Sequence, residues 1–445
     1  MIEMTKMHIG FDDTDSPRMG CTTYVAALLI DKLLRKGVVF TDYPNLIRLN
    51  PNVPWKTRGN GALCLRIECE EGIVEEVMET VVDTVEKNSD LEYQGTEPGI
   101  VFFFNTIPLE LKVFAKKTIQ GIVKMKDTLR LVEKFGAEAV GFKNGRGIIG
   151  SLAAIGETLE EDHTYEIIAY RTPENRGTKR KVEAPSVKEM DEEILQLTFN
   201  NIDPETKRIL ITPRGPDPIL YGVRGETAEA VRKAHKMIRS LEPVERWMIF
   251  RTNHGTDAHL RGINSIKEIE PFNPAIVQGA VSKEPKIIPV RHVVFSIKDK
   301  TGEVDCAAYE PTGSLRQIAK QLILGDIVEA YGGIRAASSE HPLTVNLEKM
   351  RVLELKPIFV LFNPKCPKCS KTMKSMGKNK GFKCDRCGFR DSKAKKVAVE
   401  SERNIKTGLY ITPPRSQRHL TKPHCRYGKE KFGKPQKMIA DWHYP

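Results

Sequence analysis

The chain has 445 residues, which are too many for one ordinary core. Of these residues 40% are hydrophobic, a fraction that is sufficient for a globular fold. No apolar run approaches the roughly 20 residues of a membrane-spanning helix, and the N-terminus lacks the apolar segment of a signal peptide. These features exclude an integral membrane protein. They predict a cytoplasmic protein of about three or four domains, without membrane association and with no indication of an obligate protein partner.

Positive charge is concentrated at the C-terminal end. The whole chain has a net charge of +12, but the residues from Cys366 onwards carry 21 Lys and Arg against 6 Asp and Glu, a net +15. The first 365 residues therefore sum to about −3. A near-neutral body with a basic end is typical of a protein that binds nucleic-acid phosphates. The alternative is a solvated, disordered tail.

Three aspartates follow the first predicted strand, residues 7–11. Asp12, Asp13 and Asp15 would repel one another as carboxylates, and a divalent cation relieves that repulsion. Oxygen-only ligands suit Mg²⁺. The pattern therefore predicts a magnesium site at the end of this strand.

A predicted helix, residues 24–34, begins shortly after the aspartates, and Thr22 and Thr23 precede it. A helix N-terminus attracts phosphate through its unpaired N–H groups and its dipole. Strand, acidic turn, hydroxyls and helix start together predict a phosphoryl-transfer site. The alternative from these residues alone is an acidic loop with a threonine N-cap.

Residues 55–62 form a basic, glycine-containing loop. Lys56 and Arg58 supply two cations, and Gly59 and Gly61 flank Asn60, which lets backbone amides approach an anion. A hairpin turn would have the same composition. Beyond this loop the pattern predicts strands at 63–68 and 99–104 and helices at 72–88 and 112–135.

A second glycine-rich stretch begins after residue 140. Gly145, Gly147 and Gly150 have GxGxxG spacing, with Arg146 between the first two, and they open a helix of small residues. Such a loop can place a phosphate on a helix N-terminus. No clean βαβ unit with a later ribose-binding acid follows, so the spacing does not indicate a dinucleotide fold. Further on we predict a strand at 165–170 and a helix at 186–199 that begins with a capping box of Ser186 and Glu189.

A domain boundary is predicted near residue 200. A strand–turn–strand–helix–strand order follows it, which is typical of a ferredoxin-like module. The predicted elements are strands at 207–212 and 219–224, a helix at 225–241 and a strand at 245–251.

Residues 275–355 are predicted to be mainly β-structure. Five strands, with one helix between the third and the fourth, fit an OB-fold, a common platform for single-stranded nucleic acid. Another small barrel is the alternative. The predicted strands are 275–282, 291–298, 303–309, 326–332 and 344–355, and the helix is 312–324.

Four of the nine cysteines form two CxxC pairs, Cys366 with Cys369 and Cys384 with Cys387. This spacing places four thiolates for tetrahedral Zn²⁺ and predicts a structural zinc ribbon. The other cysteines are scattered, as expected of reduced thiols. The basic residues 393–445 include aromatic rings such as Trp442, a combination that suits binding and stacking of RNA.

These motifs together resemble those of TiaS, the archaeal tRNA(Ile) 2-agmatinylcytidine synthetase family. The resemblance implies a multidomain α+β protein with an ATP-dependent α/β kinase-like catalytic domain at 1–200, a ferredoxin-like domain at 201–272 and an OB-fold β-barrel at 273–356. A zinc ribbon at 357–395 and a basic tRNA-binding extension at 396–445 would complete it. The residues that carry the resemblance are 10–16, 21–24, 48–51, 56–61, 145–150, 250–253, 255–259 and the four cysteines.

The resemblance also implies a reaction. The family uses ATP and agmatine to modify the wobble cytidine of the isoleucine tRNA with a CAU anticodon, so that the tRNA reads AUA. Phosphorylation of the C2 oxygen makes it a leaving group that the primary amine of agmatine can replace. ATP is consumed to AMP and phosphate, and a phosphothreonine is formed.

By this resemblance Asp12, Asp13 and Asp15 would hold Mg²⁺ and Thr22 would accept the phosphoryl group, although the sequence leaves Thr23 as an alternative. Asp217, in a Gly-Pro-Asp-Pro turn, is the candidate partner for the guanidinium of agmatine. Zn²⁺ would be structural. Phosphates of ATP would be bound by Lys56, Arg58, Gly59, Asn60, Gly145, Arg146, Gly147 and Gly150.

Two other functions compete with this one. A non-catalytic protein that binds single-stranded nucleic acid would explain the OB-fold and the zinc ribbon, but not the aspartates and the glycine loops. A small-molecule kinase or phosphohydrolase would explain the aspartates, but not the basic C-terminal third.

Overall fold

The structure is a computed structural model that describes residues 3–434 and 437–445. Its N-terminal part alternates strands and helices. They are β1 (Met4–Asp12), α1 (Thr22–Arg35), β2 (Val39–Phe40), β3 (Asn45–Arg48), β4 (Gly61–Glu70), α2 (Val74–Lys87), β5 (Gly99–Phe103), α3 (Leu109–Gln120), α4 (Met125–Lys134), β6 (Glu138–Gly141), α5 (Gly147–Gly156), β7 (Thr164–Arg171), α6 (Ala184–Glu193), β8 (Thr198–Phe199), β9 (Ile219–Gly225), α7 (Ala228–Met237) and β10 (Val244–Thr252).

The C-terminal part is almost all β-structure. Its elements are β11 (Arg261–Gly262), β12 (Ala275–Ile288), β13 (His292–Lys298), β14 (Glu303–Ala308), α8 (Ser314–Ala319), β15 (Ile327–Arg335), β16 (Thr344–Glu354), β17 (Ile358–Phe362), β18 (Lys374–Ser375), β19 (Phe382–Lys383), β20 (Arg390–Asp391), β21 (Val397–Ser401), β22 (Gly408–Ile411) and β23 (His443–Tyr444). In the described part of the chain, no helix is both long and apolar enough to cross a bilayer.

One eleven-stranded sheet organises the N-terminal part. Its order is β6-β5-β1-β4-β3-β10-β7-β9-β8, with β2 on β4 and β23 on β10. Helices α1, α2, α6 and α7 cover one face, and α3, α4 and α5 cover the other. Burial on both faces explains why β5 and β7 are buried along their whole length. The boundary expected near residue 200 is not a break in this sheet, because β7 pairs with both β10 and β9.

Several predicted features differ in the structure, among them the helix 186–199, which ends at Glu193 and is followed by strand β8. Residues 207–212 form no strand, only an isolated bridge between Ile202 and Ile209. The predicted helix 112–135 is two helices, because the backbone turns to an extended conformation at Gly121. The predicted capping box is wrong: Ser186 lies inside α6, where its hydroxyl donates to the Glu183 carbonyl and accepts from the Arg239 amide.

Residues 275–354 form a closed five-stranded barrel. The strands pair in the order β12-β13-β14-β16-β15, and β15 pairs back to β12. The β14–β16 pair is parallel, and α8 lies between β14 and β15 in sequence. The predicted number of strands and the position of the helix therefore agree with the structure.

A two-stranded ribbon of β17 and β21 connects the barrel to a small three-stranded unit, β18 to β20. This unit has its own small core, in which Met373 and Phe382 pack with the buried Cys366 and Cys384. The chain then returns to the barrel, where β22 pairs with β16.

The rest of the chain, here called the C-terminal segment (residues 408–445), packs against the body of the protein. Arg426 and Leu420 are buried, and β23 is a strand of the central sheet. Trp442 packs on Phe40 and Tyr43, with ring centroids 5.7 and 6.3 Å apart. The ring of Trp442, which the sequence suggested for stacking on RNA, is therefore part of the core.

Candidate active site

A cavity of about 480 Å³ lies where the end of β1 meets the starts of α1 and α5. Nearly all of the predicted catalytic and phosphate-binding residues line it, although they come from distant parts of the sequence. Gly145 is the exception. Those in the wall are Asp12, Asp13, Asp15, Thr22, Lys56, Arg58, Gly59, Asn60, Arg146, Gly147, Gly150 and Asp217.

The three aspartates do not share one environment. Asp12 is the last residue of β1, and its Oδ1 accepts a hydrogen bond from the backbone of Asp13 at 2.7 Å. Asp13 has a φ of 62°, which turns the chain sharply after the strand. Burial raises the pKa of Asp12, and the charges of Asp13 and Asp15 raise it further. Burial also raises the pKa values of Asp13 and Asp15, so a nearby positive charge would favour their ionised forms.

Two of the three aspartates pair with the arginines that were expected to bind phosphate. Arg146 lies 2.8 Å from Asp13, and Arg58 lies 2.8 Å from Asp15. Among the described residues, Asp12 has no Lys or Arg within 4.0 Å. The three carboxylates also do not form a group within 4.8 Å, whereas the four cysteines do.

Helix α1 brings hydroxyls and backbone N–H groups to the cavity. Its N-cap is Cys21, which provides no side-chain cap. In the described structure the amides of Thr22 and Thr23 donate no hydrogen bond, so they are available to an anion. Thr22 Oγ1 accepts from Thr14 at 3.1 Å, and Thr23 Oγ1 lies 3.1 Å from the Cys21 sulfur.

The glycines at the start of α5 serve close packing of the helix on the strands. A side chain on Gly150 would overlap the carboxylate of Asp12, and one on Gly147 would overlap the backbone of Gly99. The Gly147 amide already donates to the Glu97 carbonyl at 2.9 Å. The expected phosphate site on this helix start is therefore less open than the start of α1, although Arg146, Gly147 and Gly150 all line the cavity.

Asp217 is buried and already paired. Its Oδ1 lies 3.1 Å from Arg180, and its Oδ2 lies 3.4 Å from Arg58. Arg58 therefore bridges Asp15, a predicted metal ligand, and Asp217, the candidate ligand for agmatine. A ligand that draws Arg58 away would leave Asp15 without its arginine and Asp217 paired with Arg180 alone.

A buried cluster in the same wall was missed in the sequence. Glu166 on β7 lies 3.1 Å from Arg224 and 3.7 Å from Arg48, and His254 is 3.4 Å from it. His254 also contacts His419 of the C-terminal segment at 3.3 Å. A lone carboxylate in an otherwise apolar strand was the available clue to Glu166, but no pattern could place His419 beside it.

Burial and the neighbouring charges favour the ionised form of Glu166 and the neutral forms of His254 and His419. Burial would raise the pKa of Glu166, but Arg224 and the other neighbouring charges lower it. Burial and the charge of Arg224 lower the pKa of His254 to about 3. Burial, with the charge of Arg48, lowers that of His419 well below its usual value.

The four predicted zinc ligands come together in the small unit of β18 to β20. The sulfurs of Cys366, Cys369, Cys384 and Cys387 all lie within 4.8 Å of one another. Sulfurs about 3.8 Å apart are expected around a tetrahedral Zn²⁺ with Zn–S bonds of about 2.3 Å. The donor set fits zinc, and four thiolates leave no open position for catalysis.

Three family models match the chain in succession: the TiaS TCKD domain over residues 8–144, the TiaS FLD domain over 145–259 and the TiaS C-terminal zinc ribbon domain over 363–405. The tRNA(Ile2) 2-agmatinylcytidine synthetase TiaS of Methanocaldococcus jannaschii is 44% identical over 427 residues, which cover 94% of this chain and 98% of that protein. The chain belongs to the TiaS family. The family resemblance expected from the motifs is thereby confirmed.

Solved TiaS structures have the same architecture. The crystal structure of apo TiaS matches with a TM-score of 0.86 and 39% identity, over 95% of this chain and 97% of that one. The TiaS–tRNA(Ile2)–AMPCPP–agmatine complex matches with a TM-score of 0.82 and 38% identity over the same shares. The first two TiaS domain models meet between residues 144 and 145, so they group β7 with β9 and β10, its partners in the sheet.

Proposed function

We propose that the chain is an ATP-dependent ligase that joins agmatine to C2 of the wobble cytidine in the CAU-anticodon isoleucine tRNA. The product, 2-agmatinylcytidine, lets the tRNA decode AUA. One observation carries the proposal: in a member of the TiaS family, carboxylates, hydroxyls and arginines from distant parts of the chain line one cavity. A simple RNA-binding protein would have no need of such a cavity.

The domain roles follow from this proposal. We assign the kinase-like function to the part of the sheet around β1 and α1, and the ferredoxin-like module to the part around β7, β9 and β10. The closed barrel of β12 to β16 is inferred to be an OB-fold, because its strand order and helix position fit that fold. Together with the zinc ribbon, this barrel would hold the body of the tRNA. We propose that the protein acts in the cytoplasm.

The arginines of the cavity are proposed to exchange partners when ATP binds. Arg146 and Arg58 now neutralise Asp13 and Asp15. A triphosphate with Mg²⁺ would give the arginines phosphate partners and the aspartates a cation. The number of ion pairs is kept, so the exchange is electrostatically inexpensive.

The acidic residues are suited to Mg²⁺, because burial raises the pKa values of Asp12, Asp13 and Asp15 and the charges of neighbouring aspartates raise those of Asp12 and Asp15 further, so a bound cation would favour the ionised forms. When bound, the ion would neutralise charge on the phosphates during transfer. The residues proposed to hold it are these three. The N–H groups of Thr22 and Thr23 would bind a phosphate beside it.

Phosphoryl transfer is proposed to activate the cytidine. ATP would supply a phosphoryl group to the C2 oxygen, which makes that oxygen a leaving group. The primary amine of agmatine then forms the new C–N bond at C2 and loses a proton, and the C–O bond breaks with release of phosphate. Thr22 is the proposed phosphate acceptor on the protein, because its hydroxyl lines the cavity and is held by Thr14. Asp217 is proposed to bind the guanidinium of agmatine once Arg58 has moved to phosphate.

The test is mass spectrometry of the wobble nucleoside after incubation with ATP, Mg²⁺, agmatine and unmodified isoleucine tRNA. We expect an agmatine-sized mass increase that is lost in Thr22→Ala and retained in the matched control Thr23→Ala. Loss in Thr23→Ala alone would move the acceptor to Thr23. No mass increase with the wild-type protein, despite tRNA binding, would overturn the proposed function and favour the binding protein.

A further inference from the structure

A second cavity, of about 290 Å³, adjoins the first. Its walls are the loop around residues 51–59 and residues 417–420 of the C-terminal segment. Four cations line it, Arg48, Lys56, Arg58 and Arg418, and no carboxylate lies among its described lining residues. Such a cavity selects for an anionic group.

The four cations differ in how far the protein already neutralises them. Arg48 and Arg58 face carboxylates of the first cavity, Glu166 and Asp15. Lys56 has no carboxylate within 4.0 Å in the described structure, and its amino group donates only to the Arg58 carbonyl, at 3.2 Å. Burial and the nearby charge of Arg418 lower the pKa of Lys56. An anion between Lys56 and Arg418 would relieve this repulsion.

Arg418 is held in place for such a role. Its Nη1 donates to the Pro51 carbonyl at 2.9 Å, and its Nε lies 3.2 Å from Glu348 of the barrel. The side chain remains 34% exposed, so part of the guanidinium is open to a ligand. The residue thus joins the C-terminal segment, the barrel and the edge of the active-site cavity.

Beside Lys56 is an exposed tryptophan. Trp55 lines the first cavity and is 48% exposed, whereas Trp247 and Trp442 are 7% and 6% exposed. An indole ring next to an uncompensated cation offers a stacking surface and a phosphate contact side by side. This combination is typical of sites for single-stranded RNA, in which bases stack on aromatic rings.

We propose that Trp55, Lys56 and Arg418 bind the nucleotide next to the modified cytidine. A neighbouring base stacks on Trp55, and the phosphodiester that links it to the cytidine lies between Lys56 and Arg418. This inference rests on the proposed function and adds the site at which the RNA strand enters the cavity. The triphosphate of ATP is assigned to the other side, where the aspartates and the start of α1 lie, so Lys56, expected from the sequence to bind ATP phosphate, is assigned here to the RNA.

Tryptophan fluorescence tests the stacking contact directly, because Trp55 is the exposed tryptophan. The probe is an anticodon stem–loop RNA of the isoleucine tRNA, added without ATP. We expect quenching in the wild-type protein, no quenching in Trp55→Leu, and normal quenching in Phe432→Leu, a control that removes another exposed aromatic ring. Quenching by ATP alone, or none by the RNA, would overturn the proposal.

The phosphate contact is tested by the salt dependence of RNA binding. Arg418→Gln should weaken binding about tenfold and reduce the slope of log K against log salt by about 0.7, the value for one contact to single-stranded nucleic acid. Arg418→Lys should retain the slope, and so should Arg35→Gln, whose side chain lies on α1 and is 75% exposed. If Arg418→Gln weakens ATP binding as much as RNA binding, the proposal is wrong.

Turnover separates this inference from the proposed function. Trp55→Leu should raise KM for tRNA about tenfold and leave KM for ATP unchanged. If the wild-type protein adds agmatine but Trp55→Leu has the same KM for tRNA, the inference fails and the proposed function stands. If the wild-type protein adds none, the proposed function fails, and the fluorescence experiment still decides whether Trp55 binds RNA.

Discussion

The zinc ribbon and the C-terminal segment are both rich in Lys and Arg, and they place these side chains in different surroundings. Among the described residues from Lys365 to Lys396, Lys374 alone has a carboxylate within 4.0 Å. In the C-terminal segment, five cations have such a partner in the body of the protein or in the segment itself: Arg415, Arg418, Lys422, Arg426 and Lys431. Net charge therefore does not identify an RNA-binding surface unless the partner carboxylates are known.

Arg426 shows the difference most clearly. Its side chain is completely buried, 2.9 Å from Asp162 and 2.8 Å from Glu226. The cations of the zinc ribbon are exposed, and among the described residues only Lys374 has a carboxylate partner, the part-exposed Asp385. We infer that the segment uses its charge to attach itself to the central sheet, while the ribbon keeps its charge available for the tRNA.

The largest expected effect is confined to the ribbon. Removal of zinc, by a chelator or by Cys384→Ser, should unfold β18 to β20, because structural zinc contributes about 10 kcal/mol or more to the folding of such small units. Hydrogen exchange should show loss of protection there and none in the C-terminal segment. Cys425→Ser, at an exposed cysteine, is the control. Loss of protection in both regions would mean that they fold as one unit.

The next effect is on the segment. Arg426→Met leaves Asp162 and Glu226 without their main buried partner, so we expect a loss of about 3–5 kcal/mol in the free energy of unfolding. Urea denaturation measures it. Arg386→Met, at an exposed ribbon position, should change stability by less than about 0.5 kcal/mol. Equal effects of the two substitutions would contradict the comparison.

The ion pair between Asp162 and Arg426 should make the stability of the protein depend on pH. Burial alone would raise the pKa of Asp162, but hydrogen bonds and the charge of Arg426 lower it overall. A carboxyl group whose pKa is lower in the folded state stabilises the protein above its unfolded pKa and loses that contribution as pH falls. Stability should therefore decrease below about pH 4, and less so in Arg426→Met. If the unfolding free energies of the wild-type protein and Arg426→Met, measured by urea denaturation, fall equally as pH falls, this ion pair is not the cause of the pH dependence.

The smallest effect on stability should come from the exposed cations of the ribbon. The double substitution Lys378→Gln and Lys380→Gln should change the unfolding free energy by less than about 0.5 kcal/mol. It should reduce the slope of log K for tRNA binding against log salt. The reduction should be up to about 0.9 for each tRNA phosphate that these lysines neutralise in the wild-type complex. Lys87→Gln, on the exposed face of α2, is a control that removes one lysine charge outside the ribbon. An unchanged slope would show that these two lysines do not bind the tRNA.

Local patterns predicted much of the fold. The barrel strands, the four zinc ligands and most strands of the central sheet follow from short-range alternation and spacing. The continuity of this sheet across the boundary predicted near 200 did not follow from such patterns, because it depends on the parallel pairing of β3 with β10, about 200 residues apart. Pairing between strands so far apart leaves no pattern within a short window.

The candidate site was predictable to a similar degree. Residue types identified Asp12, Thr22 and Arg58, and the structure brings them to one cavity. The sequence could not show that Arg58 and Arg146 pair with the aspartates, nor that His419 reaches the same wall. These contacts depend on tertiary packing, as does the neutral state of the two buried histidines.

The position of β23 has a consequence for synthesis of the protein on the ribosome. This strand pairs with β10, and the Trp442 beside it packs on Phe40, about 400 positions earlier in the chain. The central sheet cannot be completed until residue 444 has left the ribosomal exit tunnel. Contacts of such long sequence separation form slowly, so the apolar surface that Trp442 covers stays accessible to chaperones until the end of the segment has emerged.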